Sequence, residues 1–415
     1  MNSVSSVEAS PVSTSAPSLP DPNAQMYPFD MVQELLEQTA YFNLYSTPDG
    51  DRGNSPILSG SGGVTGIRVS GRLHAFNAEM SPPSRAEGIK TSNTLGKQAG
   101  RLTMRWLLIP EDYWAEPGKE PPPTELNREV SQRFVMLDPE LRLDERDGFR
   151  GFGTGRTFPL QSSGQSYLHF TGVGVILEGF GKFAGHQGLF VISGHVSAKH
   201  GFYVNVVVRV TDADGNLRTD TPLPTTTRGL SPDRDTTYLF FFAQKDARYP
   251  TTYRLGSDGQ VEGLNVREKL RLARLAFTAD RDLRSYAKLG QGIGENSLTV
   301  VFNPFNPGAP GTPTSPIVFT SPNQLYTFVD ETGETVGSIQ GDIVEAREFN
   351  TQLPGAPGLP AFLFAGFGPI HSGTGAFSGA QGFLYFNSAG TIGPHVVSDL
   401  YVLQLVDPQG KFRER

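Results

Sequence analysis

The residues able to move protons in this chain are seven histidines, His74, His169, His186, His195, His200, His371 and His395, and the carboxylates set within strand-like runs. His195 and His200 fall in a Gly/Ser/Lys turn with no carboxylate at ligand spacing, so the pair does not read as a metal site. Asp212-Ala-Asp214-Gly215 opens like a calcium loop but lacks the bidentate Glu further on, and reads as a hairpin turn. Neither a nucleophile elbow nor a phosphate-binding loop is present. Cysteine is absent, which excludes disulfides, thiolate metal sites and a Cys nucleophile. The stronger candidates are polar residues inside strand-like runs, where alternation sends half of the side chains inward. Along GDIVEAREF lie Asp342, Glu345 and Arg347, with Glu345 and Arg347 on one face. A carboxylate held beside Arg in an apolar interior could act as a base or orient a polar substrate group.

These residues are positioned by a glycine pattern that occurs twice. Gly172 to Gly188 (GVGVILEGFGKFAGHQG) and Gly366 to Gly382 (GFGPIHSGTGAFSGAQG) superimpose at an offset of 194, with nine of seventeen positions identical. Self-similarity at a fixed offset marks a duplicated unit. Both copies run into strand-like segments, GLFVIS and GFLYFN, rather than into a helix N-terminus, which argues against phosphate binding. The glycines instead suit a tight strand-to-strand corner, with Phe183 and Phe377 expected to plug a barrel end. The copies differ at Glu178, which answers Ser372, and at His371, which answers Leu177, as one specialised cavity would require. Glu178, Glu345, Arg347 and His371 are therefore the candidate catalytic residues, and His74, Tyr167, Tyr385 and Asn387 the candidate hydrogen-bonding contacts to substrate. The alternative for each is an outward-facing or paired side chain. No metal and no cofactor is expected.

The 415 residues include 48 Gly, 32 Pro and 28 Phe, with 19% charged, a balance that favours strands and punctuated turns over helical bundles. The net charge of -7 is spread out and forms no basic stripe, so nucleic acid is not an expected partner. Residues 1–25, rich in Ser and Pro and without an apolar h-region, read as a disordered tail and not a secretion signal, which points to a cytoplasmic protein. No stretch of 18 apolar residues suggests a membrane span.

Asp30 with Gln33 predicts a capped helix carrying Met31, Val32, Leu35, Leu36 and Tyr41 or Phe42. Asn265 with Glu268 predicts a second, bearing Val266, Leu270, Ala273 and Phe277, although KLRLARLAF also alternates like a strand. Strand-like runs fill the rest, six to eight per copy, enough to close into antiparallel barrels without free edges. Proline-rich interruptions at Ser81–Glu87, Pro110–Pro123 and Pro304–Pro316 read as rims of a pocket mouth or as exposed connections. The expected fold is thus all-β: two tandem antiparallel barrels of calycin type, at 26–215 and 260–415, with short N-terminal helices. The stretch 216–259 is a connecting segment whose apolar run Tyr238–Ala243 could be an added strand.

The second copy, GTGAFSGAQG, resembles the glycine corner of the allene oxide cyclase and dirigent superfamily through Gly373, Thr374, Gly375, Phe377, Ala380 and Gly382. The first copy departs from it at Phe180 and His186. The resemblance implies eight-stranded barrels with an apolar cavity, in a family that steers cyclisation or coupling of reactive hydrophobic intermediates without a cofactor. The expected function is accordingly a cofactor-independent cyclase or isomerase for a polyketide, polyene or terpenoid-like intermediate. The alternatives are a non-catalytic carrier of an apolar small molecule and a lyase or hydrolase using the same pocket.

Overall fold

The computed structural model describes residues 39–413 apart from 51–52, 111–112, 114, 116, 127–132, 163–164, 198–200, 213, 220–234, 247, 278–282, 303–317, 351–360 and 392–396. The first half consists of β1 (Thr39–Pro48), β2 (Ser55–Leu58), β3 (Val64–Met80), β4 (Thr91–Ile109), β5 (Arg133–Arg142), β6 (Gly148–Ser162), β7 (Gln165–Phe180), β8 (Gly188–Ser197) and β9 (Gly201–Thr211). The second consists of β10 (Thr236–Lys245), β11 (Thr252–Leu255), β12 (Val261–Phe277), β13 (Ser285–Phe302), β14 (Val318–Val329), β15 (Thr335–Asn350), β16 (Ala361–Gly375), β17 (Gly382–Thr391) and β18 (Val397–Val406). Neighbouring strands pair antiparallel in both halves. The β1–β3 and β10–β12 pairings each close eight strands into a barrel, leaving β2 and β11 as short appendages.

Closure follows from the alternation in the sequence. In the first barrel Phe42, Leu44, Val206 and Val208 face inward, while Tyr41, Tyr45 and Val207 face the other barrel. The interiors are largely apolar and ring-filled, as expected for eight strands, which leave room for side chains or one small ligand. One end of each barrel is stopped by the duplicated corner. Phe183, fully buried, packs on Phe149 at 4.3 Å, and Phe377, also fully buried, packs on Phe328 at 4.8 Å. The corner repeats in conformation as well as in sequence: Gly181 and Gly375 have φ of 60° and 58°, Gly185 and Gly379 of 82° and 80°.

The barrels meet along equivalent faces. Because Leu44 pairs with Ala75 as Phe241 pairs with Leu272, Tyr41 corresponds to Tyr238 and Tyr45 to Phe242. Tyr41 touches Phe242 at 5.9 Å and Tyr45 touches Tyr238 at 6.1 Å, the reciprocal contacts of a pseudo-twofold interface.

Two expectations change. The segment predicted as a second helix is β12, because KLRLARL alternates and β10, β11 and β13 take up its backbone groups. The run Tyr238–Ala243, read within a connection, is part of β10, the first strand of the second barrel. The helix expected from Asp30 lies outside the described residues, except that Tyr41 and Phe42 belong to β1. Among the described residues the only helical turn is Gly181–Phe183, and no helix is long and apolar enough to cross a membrane.

The corner supplies a stability test. In Gly379→Ala the new Cβ meets nothing within 4 Å, so only the left-handed backbone is strained, at about 1 kcal/mol. In Gly375→Ala the Cβ would also lie 2.2 Å from the Val336 carbonyl oxygen, and the loss should exceed about 2 kcal/mol. Equal urea midpoints for the two variants would contradict this account of the corner.

Candidate functional site

The interior of the second barrel is not uniformly apolar. Inward positions of β12, β13 and β14 place Glu268, Asn296 and Tyr326 side by side in register. Asp399 and Ser388 face each other across β18 and β17, and Tyr401 lies two residues beyond Asp399 on the same face. All six are buried. Around them stand Phe241, Phe328, Phe386 and Leu403. Phe377 and Phe412 stop one end of this barrel, and the polar group lies toward the other.

Glu268 is the focus of the cluster. It accepts hydrogen bonds from Asn296 Nδ2 at 2.9 Å and Tyr401 Oη at 3.3 Å, and a third from the carboxyl of Asp399. Burial, followed by the charge of Glu268, pushes Asp399 well above the usual carboxylate range. Burial raises Glu268 too, while its donors oppose that rise. The pair therefore holds one proton, carried by Asp399 and received by Glu268. Burial likewise keeps the phenols of Tyr326 and Tyr401 protonated, and Tyr326 Oη donates to Gln324 Oε1 at 2.5 Å. Ser388 Oγ approaches the Asp399 carboxyl from across the strand pair, and Asn296 Oδ1 has no partner among the described residues. A buried polar atom is seldom left so, and a water or a ligand group in the barrel would complete it. The site can thus give a proton to, or hydrogen-bond, an oxygen of an otherwise apolar molecule.

The first barrel shows that these groups are not needed for folding. Its pairs Gly71↔Leu102 and Leu102↔Leu141 correspond in register to Glu268↔Asn296 and Asn296↔Tyr326. Its pair Gly194↔Val204 corresponds to Ser388↔Asp399. The same positions of the same fold are glycine or aliphatic in one copy and acid, amide, hydroxyl or phenol in the other.

None of the candidates named from sequence whose side chains are described lies in this interior. Glu178 is exposed on β7 opposite Arg150, because the strand turns its side chain outward. His371 is exposed on the outer face of β16 and bonds Asp342 Oδ2 at 2.7 Å. His74 faces outward on β3, near Thr47 Oγ1 and Gly96 O, and partial burial lowers its pKa. Tyr167 pairs with Leu160 in β7, and its side chain lies outside the described residues. The other four line the seam between the barrels. Glu345 accepts from Arg347 Nε at 2.6 Å and from Thr154 Oγ1 of the first barrel at 3.2 Å, and ion-pairs with Arg156 at 3.6 Å. Tyr385 Oη donates to Asn205 Oδ1 across the seam. Asn387 is fully buried, and neither of its amide atoms has a partner among the described residues. His169 Nε2 meets Ser193 Oγ at 3.1 Å, Ser193 donates to Gln404, and the imidazole stacks on Phe383. Burial lowers the His169 pKa well below its ordinary value.

Sequence reasoning missed Glu268 because Asn265 and Glu268 imitate a helix cap. Read as a strand, the same run sets Glu268 and Leu270 on one face and Lys269 and Arg271 on the other. Comparing the two copies strand by strand then leaves an acid where the first barrel has Gly71. No family model, no curated protein and no solved structure matches the chain.

Two outcomes are expected. A carboxyl whose folded pKa is raised contributes stability that is complete below its unfolded pKa, about 4, and is lost as pH rises toward the folded value. His169, lowered on folding, has the opposite slope, confined below about pH 6.5. Relative to Asp399→Asn, the wild type should therefore lose stability as pH rises above about 4, the His169 contribution being common to both proteins, and urea titrations of the two across pH would show it. In the seam, Tyr385→Phe removes the donor to buried Asn205, and equilibrium denaturation should show a loss of about 1–3 kcal/mol.

Proposed function

We propose that the second barrel is a cofactor-independent cyclase or isomerase acting on a hydrophobic reactive intermediate of polyketide, polyene or terpenoid type. One observation carries this reading: a carboxylic acid kept neutral by burial, beside a carboxylate and two phenols, in the apolar interior of one copy only. A neutral acid and a tyrosine in an apolar site stabilise the oxyanion that forms when a double bond shifts or a ring closes. Asp399 gives its proton to, or shares it with, the substrate oxygen on which charge develops. Glu268 is the base that receives a proton from the substrate, and the proton count is unchanged when the product leaves. The aromatic walls hold the chain of the substrate in a reactive shape and exclude water. The closed eight-stranded barrels and the glycine corner support placing the chain with allene oxide cyclase and dirigent-like proteins, whose chemistry is of this kind.

The test is native mass spectrometry of the protein from its producing cells, with solvent extraction of whatever is bound. Glu268→Gln and Asp399→Asn should retain an apolar precursor, one per chain, that the wild type converts, while Glu178→Gln and His371→Asn convert it normally. If no apolar compound associates with any of these proteins, the reading fails. Retention of the same unaltered compound by wild type and variants alike would favour a carrier.

A further inference from the structure

The wall that carries Asp399 on its inner side meets the first barrel on its outer side. Arg209 of β9 is 1% exposed, and because Val208 and Val210 face the interior of the first barrel, its side chain points out into the seam. Its cross-strand neighbours Tyr41 and Leu189 belong to the seam cluster, and the guanidinium lies 5.0 Å from the centre of the Tyr41 ring. Tyr41 in turn touches Phe242 of β10, which pairs with Leu400, the residue after Asp399.

The pseudo-twofold axis places Arg209 independently. Arg209 pairs with Tyr41 as Gln404 pairs with Tyr238, and Ser193 corresponds to Asn387. Gln404 accepts a hydrogen bond from Ser193 across the seam at 2.5 Å, so the reciprocal position sets Arg209 against Asn387. Asn387 pairs with Leu400, and the next pair is Ser388 with Asp399, whose side chains point to the other side of the sheet. One layer of strands therefore separates the guanidinium from the acid pair.

Two buried charges so placed act on each other strongly, since little water screens them. Burial lowers the proton affinity of Arg209, but a guanidinium begins high enough to stay charged. Its charge opposes the rise that burial and Glu268 impose on Asp399. The other ionisable groups acting with Asp399 among the described residues are Glu268 of β12, Tyr326 of β14 and Tyr401 of β18, and none of them supplies positive charge.

We infer that Arg209 is a positioning residue of the acid pair: a fixed positive charge, contributed by the first barrel through the β17–β18 wall, that stabilises the carboxylate left on Asp399 when it gives its proton away. The inference rests on the role proposed for Glu268 and Asp399. In the transfer the Asp399 O–H bond breaks, its electron pair stays on Asp399, and the proton joins the substrate oxygen. Without Arg209 the second barrel would hold that proton more firmly and deliver it more slowly. The first barrel thus takes part in the chemistry of the second without touching substrate.

Infrared titration of the carboxylic C=O stretch in the intact chain tests this, because it reads the proton with no substrate present. The band lost in Asp399→Asn identifies the shared proton, and its disappearance with rising pH gives a midpoint. Two neutral variants are compared. Arg209→Gln introduces the residue type that the second copy carries at Gln404, and Arg209→Met fills the space with an unbranched apolar chain. Each should raise the midpoint by about one pH unit, a tenfold gain in proton affinity. Arg209→Lys, which keeps a charge, should raise it less. Gln404→Ala, which disturbs the reciprocal seam contact without removing a charge, should leave it in place. Thermal melts verify that each variant is folded. An unmoved midpoint in the neutral variants overturns the inference and leaves the acid pair intact, as would an equal rise in Gln404→Ala. If Asp399→Asn removes no band that persists above the usual carboxylate range, the acid pair and this inference fall together.

Discussion

Everything in this molecule depends on the closing pairings β1–β3 and β10–β12. An open sheet of these strands would leave two edges of unpaired backbone groups and one apolar face in water. Closure satisfies the backbone and at the same time creates an interior shielded from bulk water. In that interior a carboxyl cannot remain simply ionised, and two of them can be accommodated only by holding a proton in common. The proton shared by Glu268 and Asp399 is therefore a consequence of how the sheet ends are joined, as much as of the two residue types.

The architecture was largely legible in the sequence, because the period of two in the strands and the duplicated glycine corner both report directly on backbone geometry. The plugs Phe183 and Phe377 could be foreseen from their place in that corner. The candidate site was much less legible. Whether Glu268 points inward depends on choosing strand over helix for a run whose first residues satisfy both patterns, and only pairing with β10 and β13 decides it. Asp399 and Ser388 acquire meaning only from their register, which no local pattern states. Glu345 and Arg347 do share a face, as their spacing predicts, but it is the outer face turned toward the first barrel. Alternation says which residues go together and leaves open which side is the interior.

The two copies have diverged along separate surfaces. Inside, the first barrel retains Leu102, Leu141 and Val204 where the second has Asn296, Tyr326 and Asp399. Outside, Arg68, Arg105 and Arg150 of the first barrel correspond to Asn265, Thr299 and Gln340, while Arg72 keeps a basic counterpart in Lys269. The seam retains its reciprocal aromatic contacts, while its polar members differ, with Ser193 in one copy answered by Asn387 in the other.

Two identical subunits related by the same axis would be obliged to carry every residue twice. A buried acid pair, which weakens the barrel that holds it, would then weaken both barrels of the dimer, and relief by an aliphatic substitution would erase the pair from both. Joining the halves in one chain lifts that obligation. One barrel can stay fully aliphatic and act as the rigid support against which the other is held. The support cannot be lost by dilution, since the tether fixes the local concentration of each half for the other.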